Sequence, residues 1–245
     1  AAPTVGAVQV PTSTVTLGNT VTLSVTAGDI DGTIASVNFY NGDVLLGAGT
    51  LSTGNTYTLA WTPSVAGPYG LSAVARDNEQ FVGNGATTLL TVLPNAAPTV
   101  GAVQVPTSTV TLGNTVTLSV TAGDSDGTIT SVNFYSGDVL LGTGALSTGN
   151  TYTLAWTPSL EGPYSLSAVV TDNNGLNAAS VTDQPLTVLP NEAPTVGAVQ
   201  VIADEVPVGA TVLLAATAGD SDGTIASVNF YNGSVLLGVG TLSYG

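Results

Sequence analysis

NTVTLSVTAGDIDGTIASVNFY, residues Asn19–Tyr40, alternates apolar and polar side chains on either side of a short turn that ends in glycine. Val21, Leu23 and Val25 fall on one face of an extended chain and Thr22, Ser24 and Thr26 on the other, because successive strand side chains point to opposite sides. One face is written for a core and the other for water. The same period of two continues outward in Tyr57, Leu59 and Trp61, and again in Tyr69, Leu71 and Ala73. Turn chemistry separates these runs at Asp29–Gly32, Asn41–Asp43, Ser52–Asn55, Pro63–Pro68 and Asn78–Gly85. No stretch carries a helical period.

The expected strands are Val5–Val10, Asn19–Ala27, Thr33–Tyr40, Val44–Leu46, Thr56–Thr62, Tyr69–Arg76 and Thr87–Leu93. About seven short antiparallel strands in about a hundred residues predict an all-β Greek-key β-sandwich of immunoglobulin-like type. Tyr69, at the start of the sixth strand, stands where such sandwiches place a corner tyrosine. Trp61 falls on the fifth strand and the chain has no Cys, so the antibody pattern of Trp and disulfide is absent. Trp61, Phe39 and Tyr57 read as core fillers. Tyr40 has the opposite parity to Phe39, which leaves one ring per copy as a candidate contact on a sheet face.

The unit is repeated. Ala1–Asp29 returns letter for letter as Ala96–Asp124, and a diverged third copy begins at Glu192. Over Ala1–Arg76 and Ala96–Thr171 only ten positions differ. The expected organisation is therefore three tandem units: residues 1–95, residues 96–191, and residues 192–245 as the front half of a third. That half-unit is expected to be a truncated domain; the alternative is completion by strands of a neighbouring copy, as in strand complementation. Leu93–Pro98 and Leu189–Pro194 join the copies. Two prolines within five residues favour a short extended tether, hence a semi-rigid rod.

Composition removes whole classes of function. One Arg and no Lys stand against sixteen acids, a formal net charge of −15. Such a surface repels nucleic acid and anionic headgroups, and no apolar stretch is long enough to insert in a membrane. With no His, Cys or Lys, serine- or cysteine-type nucleophiles and zinc sites on His or Cys have no candidates. Two acids one residue apart in a surface turn do not flank a glycoside-binding cleft. The expectation is that the chain is not an enzyme. Edge strands lack the usual Lys that blocks pairing, so lateral packing with neighbouring copies into a filament is one expected mode of association.

VTLSVTAGDIDGTIASVNFYNGDVLLG followed by YTLAWTPSVAGPYGLSAVARDN, within Val21–Asn78, resembles the Ig-like domains of bacterial surface and secreted proteins. The resemblance covers both full copies and the front of the third. It implies an extracellular or cell-surface structural module: part of an adhesin, a stalk or a filament. The alternatives it leaves open are a module binding a cell-surface glycan or protein, and a spacer of a secreted carbohydrate-active enzyme.

One constellation has chemistry. Asp29 and Asp31, Asp124 and Asp126, and Asp220 and Asp222 are paired acids in Gly-terminated turns. In this type of sandwich the loops after the second and sixth strands emerge at one pole, which brings Asp77, or Asp172 with Asn173, toward them. Converging carboxylate and amide oxygens suit calcium, a hard cation with six to eight oxygen ligands, better than strictly octahedral magnesium. A structural calcium there would stiffen the junction with the preceding domain. The competing reading is turn chemistry alone, in which Asp and Asn cap nearby backbone N–H groups.

Overall fold

The structure, a computed structural model, describes residues 1–181, 185–203 and 205–242. Among the described residues every regular element is a strand. The first copy contains β1 (Thr4–Val5), β2 (Thr14–Thr16), β3 (Val21–Gly28), β4 (Ile34–Asn41), β5 (Val44–Ala48), β6 (Thr50–Leu51), β7 (Thr56–Trp61), β8 (Gly67–Asp77), β9 (Val82–Asn84) and β10 (Thr88–Leu93). They form two facing sheets, ordered β1-β3-β7-β6 and β2-β10-β8-β4-β5, with β9 added to β8. The alternation of Val21–Gly28 appears as strict alternation of buried and more exposed side chains along β3. Val21, Leu23 and Val25 meet Val37, Phe39, Leu71, Ala73, Leu90 and Val92 from the other sheet in one buried cluster. The second copy repeats this with Leu118, Val132, Phe134, Leu166 and Leu186. The tandem immunoglobulin-like sandwich expected from the sequence is the fold observed.

The structure adds three short strands and redraws one. The expected first strand, Val5–Val10, is only β1 plus a bridge from Gln9 to Ser24. The chain then passes Pro11 and crosses to the other sheet, where β2 runs parallel to β10. Thr14–Thr16 carries a single apolar residue, so periodicity could not announce it. β6 and β9, of two and three residues, escape for the same reason.

Tyr69 is a corner tyrosine, as its position suggested: its hydroxyl donates to the Val65 carbonyl at 2.8 Å, and Tyr164 donates to Leu160 at 2.9 Å. Each ring also stands edge-on to a tryptophan, Trp61 at 5.1 Å and Trp156 at 5.0 Å between centroids. Phe39 is buried, whereas Trp61 and Tyr57 are half-buried and pack against the core from its rim. Tyr164→Phe keeps the ring contact and deletes the bond, so urea titration of the second copy should show a loss of about 1 kcal/mol.

The third copy is different. Its described strands form only two-stranded sheets. Positions that match the first copy's core lie open: Val8 is 0% exposed, and its counterpart Val199 is 54% exposed. Asp204 and residues 243–245 of the unit lie outside the described residues.

Candidate functional site

Each complete copy ties its two predicted loops together at one pole. Ile34 pairs with Asp77 at the ends of β4 and β8. Beyond that pair, the Thr33 N–H donates to Asn78 Oδ1 at 2.8 Å and the Asn78 N–H to the Thr33 carbonyl at 3.0 Å. In the second copy the Thr128 N–H donates to Asn173 Oδ1 at 2.6 Å, and the Asn173 N–H to the Thr128 carbonyl at 2.9 Å. Gly32 sits where the loops press closest: a Cβ there would lie 2.5 Å from both Asp29 Oδ2 and Asn78 Oδ1. Only glycine fits that approach.

Much of the acid inventory is used by backbone. Asp77 is 0% exposed, and its Oδ1 accepts from the N–H groups of Glu79 at 2.8 Å and Phe81 at 2.9 Å. Asp172, 2% exposed, does the same with Asn174 at 2.8 Å and Leu176 at 2.9 Å. The second acid of each paired turn holds the start of its own copy. Asp126 Oδ2 accepts from the Ala96 N–H at 3.0 Å, Asp222 Oδ2 from Glu192 at 3.1 Å, and Asp31 from the Ala1 ammonium at 2.8 and 2.6 Å. Asp124 and Asp220 accept weakly, through Oδ1, from the N–H two residues on, at 3.4 and 3.3 Å. This is the local capping that Asp favours in turns.

A second set of oxygens has no hydrogen-bond partner although it is buried: Asp29 Oδ1, Asp77 Oδ2, Asp124 Oδ2, Asp126 Oδ1 and Asp222 Oδ1. All five belong to acids singled out in the sequence. Among the described residues, however, no three acids gather into a ready-made metal-ligand group. Electrostatics differ from acid to acid. Burial pushes the Asp124 carboxyl up, and the neighbouring Asp126 carboxylate adds to the rise. The hydrogen bonds from the Ala1 amino group hold the Asp31 carboxyl down. For Asp172 burial is the largest single influence and acts upward, but the Asn95 amide and backbone N–H groups together outweigh it and leave the carboxyl below its usual range.

Sequence reasoning missed Asn95 and Asn174. Asn95 Nδ2 donates to Asp172 Oδ2 at 2.8 Å, and Asn174 Nδ2 donates to Asn95 Oδ1 at 3.0 Å. A signal existed: Asn95 and Asn191 each precede the first residue of a copy.

The sequence pattern of the bacterial Ig domain matches residues 3–89 and again residues 98–168. The chain belongs to that family. Both matched stretches contain the paired-acid turn; the first also contains Asp77 and Asn78, whereas Asp172 and Asn173 lie just past the end of the second. Among solved structures the chain is similar to the fibronectin(III)-like modules of Clostridium thermocellum CbhA, at 24% identity over 75% of this chain and 94% of that one, with a TM-score of 0.38. It is also similar to a chimeric titin Z1Z2, at 20% identity over 77% and 97% with a TM-score of 0.42. A third similarity is to a 1.5-MDa bacterial ice-binding adhesin, at 15% identity over 81% and 70% with a TM-score of 0.40. No curated protein matches the sequence significantly.

Proposed function

We propose that these tandem bacterial Ig domains form part of a semi-rigid extracellular rod, the stalk of an adhesin or a surface filament, whose role is reach rather than catalysis. The observation that carries the reading is duplication of one sandwich, core for core, across the short tether Pro94–Pro98, bounded by proline at both ends. The missing His, Cys and Lys side chains support it, since acid–base and nucleophilic chemistry would have to work without them. Negative-stain microscopy of the native material tests it. Beaded rods are the expected image, and compact particles with the copies folded back on each other would overturn the reading.

Calcium belongs to the same proposal. The unpartnered oxygens, Asp29 Oδ1 and Asp77 Oδ2 in the first copy and Asp124 Oδ2 and Asp126 Oδ1 in the second, are the groups that would hold it, and they fit its preference for hard oxygen ligands. Water and backbone carbonyls must complete the shell, which places affinity in the weak extracellular range, on the order of 10⁻⁴–10⁻³ M. Bound calcium would supply charge compensation at a pole where burial already disfavours the Asp124 carboxylate. With calcium at ten times that constant, the melting midpoint of the full chain should stand several degrees above its value in chelator. Asp124→Asn with Asp126→Asn should abolish the second copy's share of the shift. An unchanged wild-type midpoint rules the stabilising ion out.

A further inference from the structure

The first and second bacterial Ig domains touch through two amide donors, Asn173 and Asn174, of which the second has no counterpart in the first domain's turn. Asn174 Nδ2 reaches across to the Leu17 carbonyl of the first domain at 2.7 Å, while also donating to Asn95 Oδ1 in the tether. Beside it, Asn173 Nδ2 donates to Asn19 Oδ1 at 3.0 Å and to Asn174 Oδ1 at 2.6 Å. The tether is bound from both ends of this network, because Asn95 Nδ2 is held by Asp172. Contact at the receiving turn is close. A Cβ on Gly18, whose φ is +88°, would lie 3.2 Å from Asn174 Cγ. At the equivalent Gly113 of the second domain, φ is +87° and nothing lies within 4 Å.

The copies differ at the donating residue. The second domain reads Asp172-Asn173-Asn174-Gly175, and the first reads Asp77-Asn78-Glu79-Gln80. A glutamate carboxylate has no N–H to give a backbone carbonyl, and it would bring charge against an acceptor. Gln80 also carries φ of +74° where Gly175 has +90°, so a side chain occupies a left-handed position that glycine fills in the other copy. The receiving turn, by contrast, is unchanged: Leu17-Gly18-Asn19 recurs as Leu112-Gly113-Asn114.

We propose that this turn is a keyed joint. Asn174 locks the second domain onto the Leu17–Asn19 turn of the first, and the matching Leu112–Asn114 turn is a docking surface for another bacterial Ig domain that carries Asn at this position. A domain with Glu there, as in the first copy, is refused because it leaves the receiving carbonyl without a donor. Prolines 94 and 98 limit the tether's reach, and the amide network removes the swivel that short tethers otherwise permit between domains. The inference concerns how neighbouring domains set their angle, and it stands whether or not the array works outside the cell.

Residual dipolar couplings of the full chain test the joint. In the wild type, the first and second domains should report one shared alignment tensor. Asn174→Glu, which copies the first domain's residue, should split it into two, with chemical-shift changes confined to Leu17–Asn19, Asn95 and the mutated turn. Asn19→Ala with Asn174→Ala removes one partner from each of the two interdomain hydrogen bonds without adding charge and should give the same loss. Glu79→Asn, outside the joint, should leave the shared tensor intact. Two tensors in the wild type, or one shared tensor in Asn174→Glu and in the double variant, would overturn the proposal. Neither result would bear on whether native material forms beaded rods.

Discussion

Phe39→Ala should cost the first copy about 3–5 kcal/mol and leave the second copy's transition where it was. Phe39 is completely buried at the centre of its sandwich. Its ring fills the space up to Gly49, where a Cβ would lie 2.8 Å from Phe39 Cε2, so the surroundings are already at contact distance. Two tightly paired sheets cannot collapse far into the cavity left by the lost ring. Against a typical total of about 5–15 kcal/mol for a domain, the loss leaves the first copy marginal. Calorimetry of the full chain should show one transition falling by more than about 10 °C while the other holds. A common shift of both would mean that the copies unfold as a single unit.

Asp172→Ala is the second large effect. The carboxylate satisfies two part-buried backbone N–H groups and the Asn95 amide, and alanine removes the acceptor of all three. Hydrogen bonds to a charged acceptor are each worth about 1.5–3 kcal/mol, so a loss of at least 2 kcal/mol from the second copy is expected at pH 7. Asp172→Asn is milder, keeping one acceptor oxygen for the turn. Because the folded carboxyl titrates below its ordinary value, its contribution is fully present above the unfolded value of about 4 and disappears as pH falls through the depressed folded value. Wild-type stability should therefore drop on acidification below about pH 5, and the Asn variant should show a flatter acid limb. Urea midpoints measured from pH 7 to pH 2 report both; parallel curves would mean that Asp172 titrates as it does in the unfolded chain.

The sandwich was legible because its central strands announce themselves. Val21–Val25 and Tyr69–Ala73 alternate over lengths that only a half-buried strand explains, and repetition of the whole unit confirmed the same pattern twice. β2 was hidden because its partners on β10, Thr91–Leu93, lie far along the chain from Thr14–Thr16, and three residues with one valine carry no period. The pole was legible in part. Paired acids beside a turn asparagine marked the right loops, but the sequence offered Gly32 only as a turn glycine, and its place at the loops' closest approach came from the structure. What the sequence could not distribute was the use of each oxygen: one face of Asp77 and Asp172 caps backbone, while Asp29 and Asp124 keep a buried oxygen free. That division depends on which N–H groups the turn aims inward, a matter of geometry rather than composition. The role of Asn174 lay further from view, since its partner Leu17 belongs to another domain and offers only its backbone.

Pulling the full chain from its two ends in a single-molecule force experiment addresses the self-sufficiency of each sandwich most directly. Two unfolding steps of equal contour-length gain, about 300 Å each for a unit of this size, are predicted for the two complete copies. One step of twice that length would contradict the account, because it would mean that neither copy holds its fold without the other.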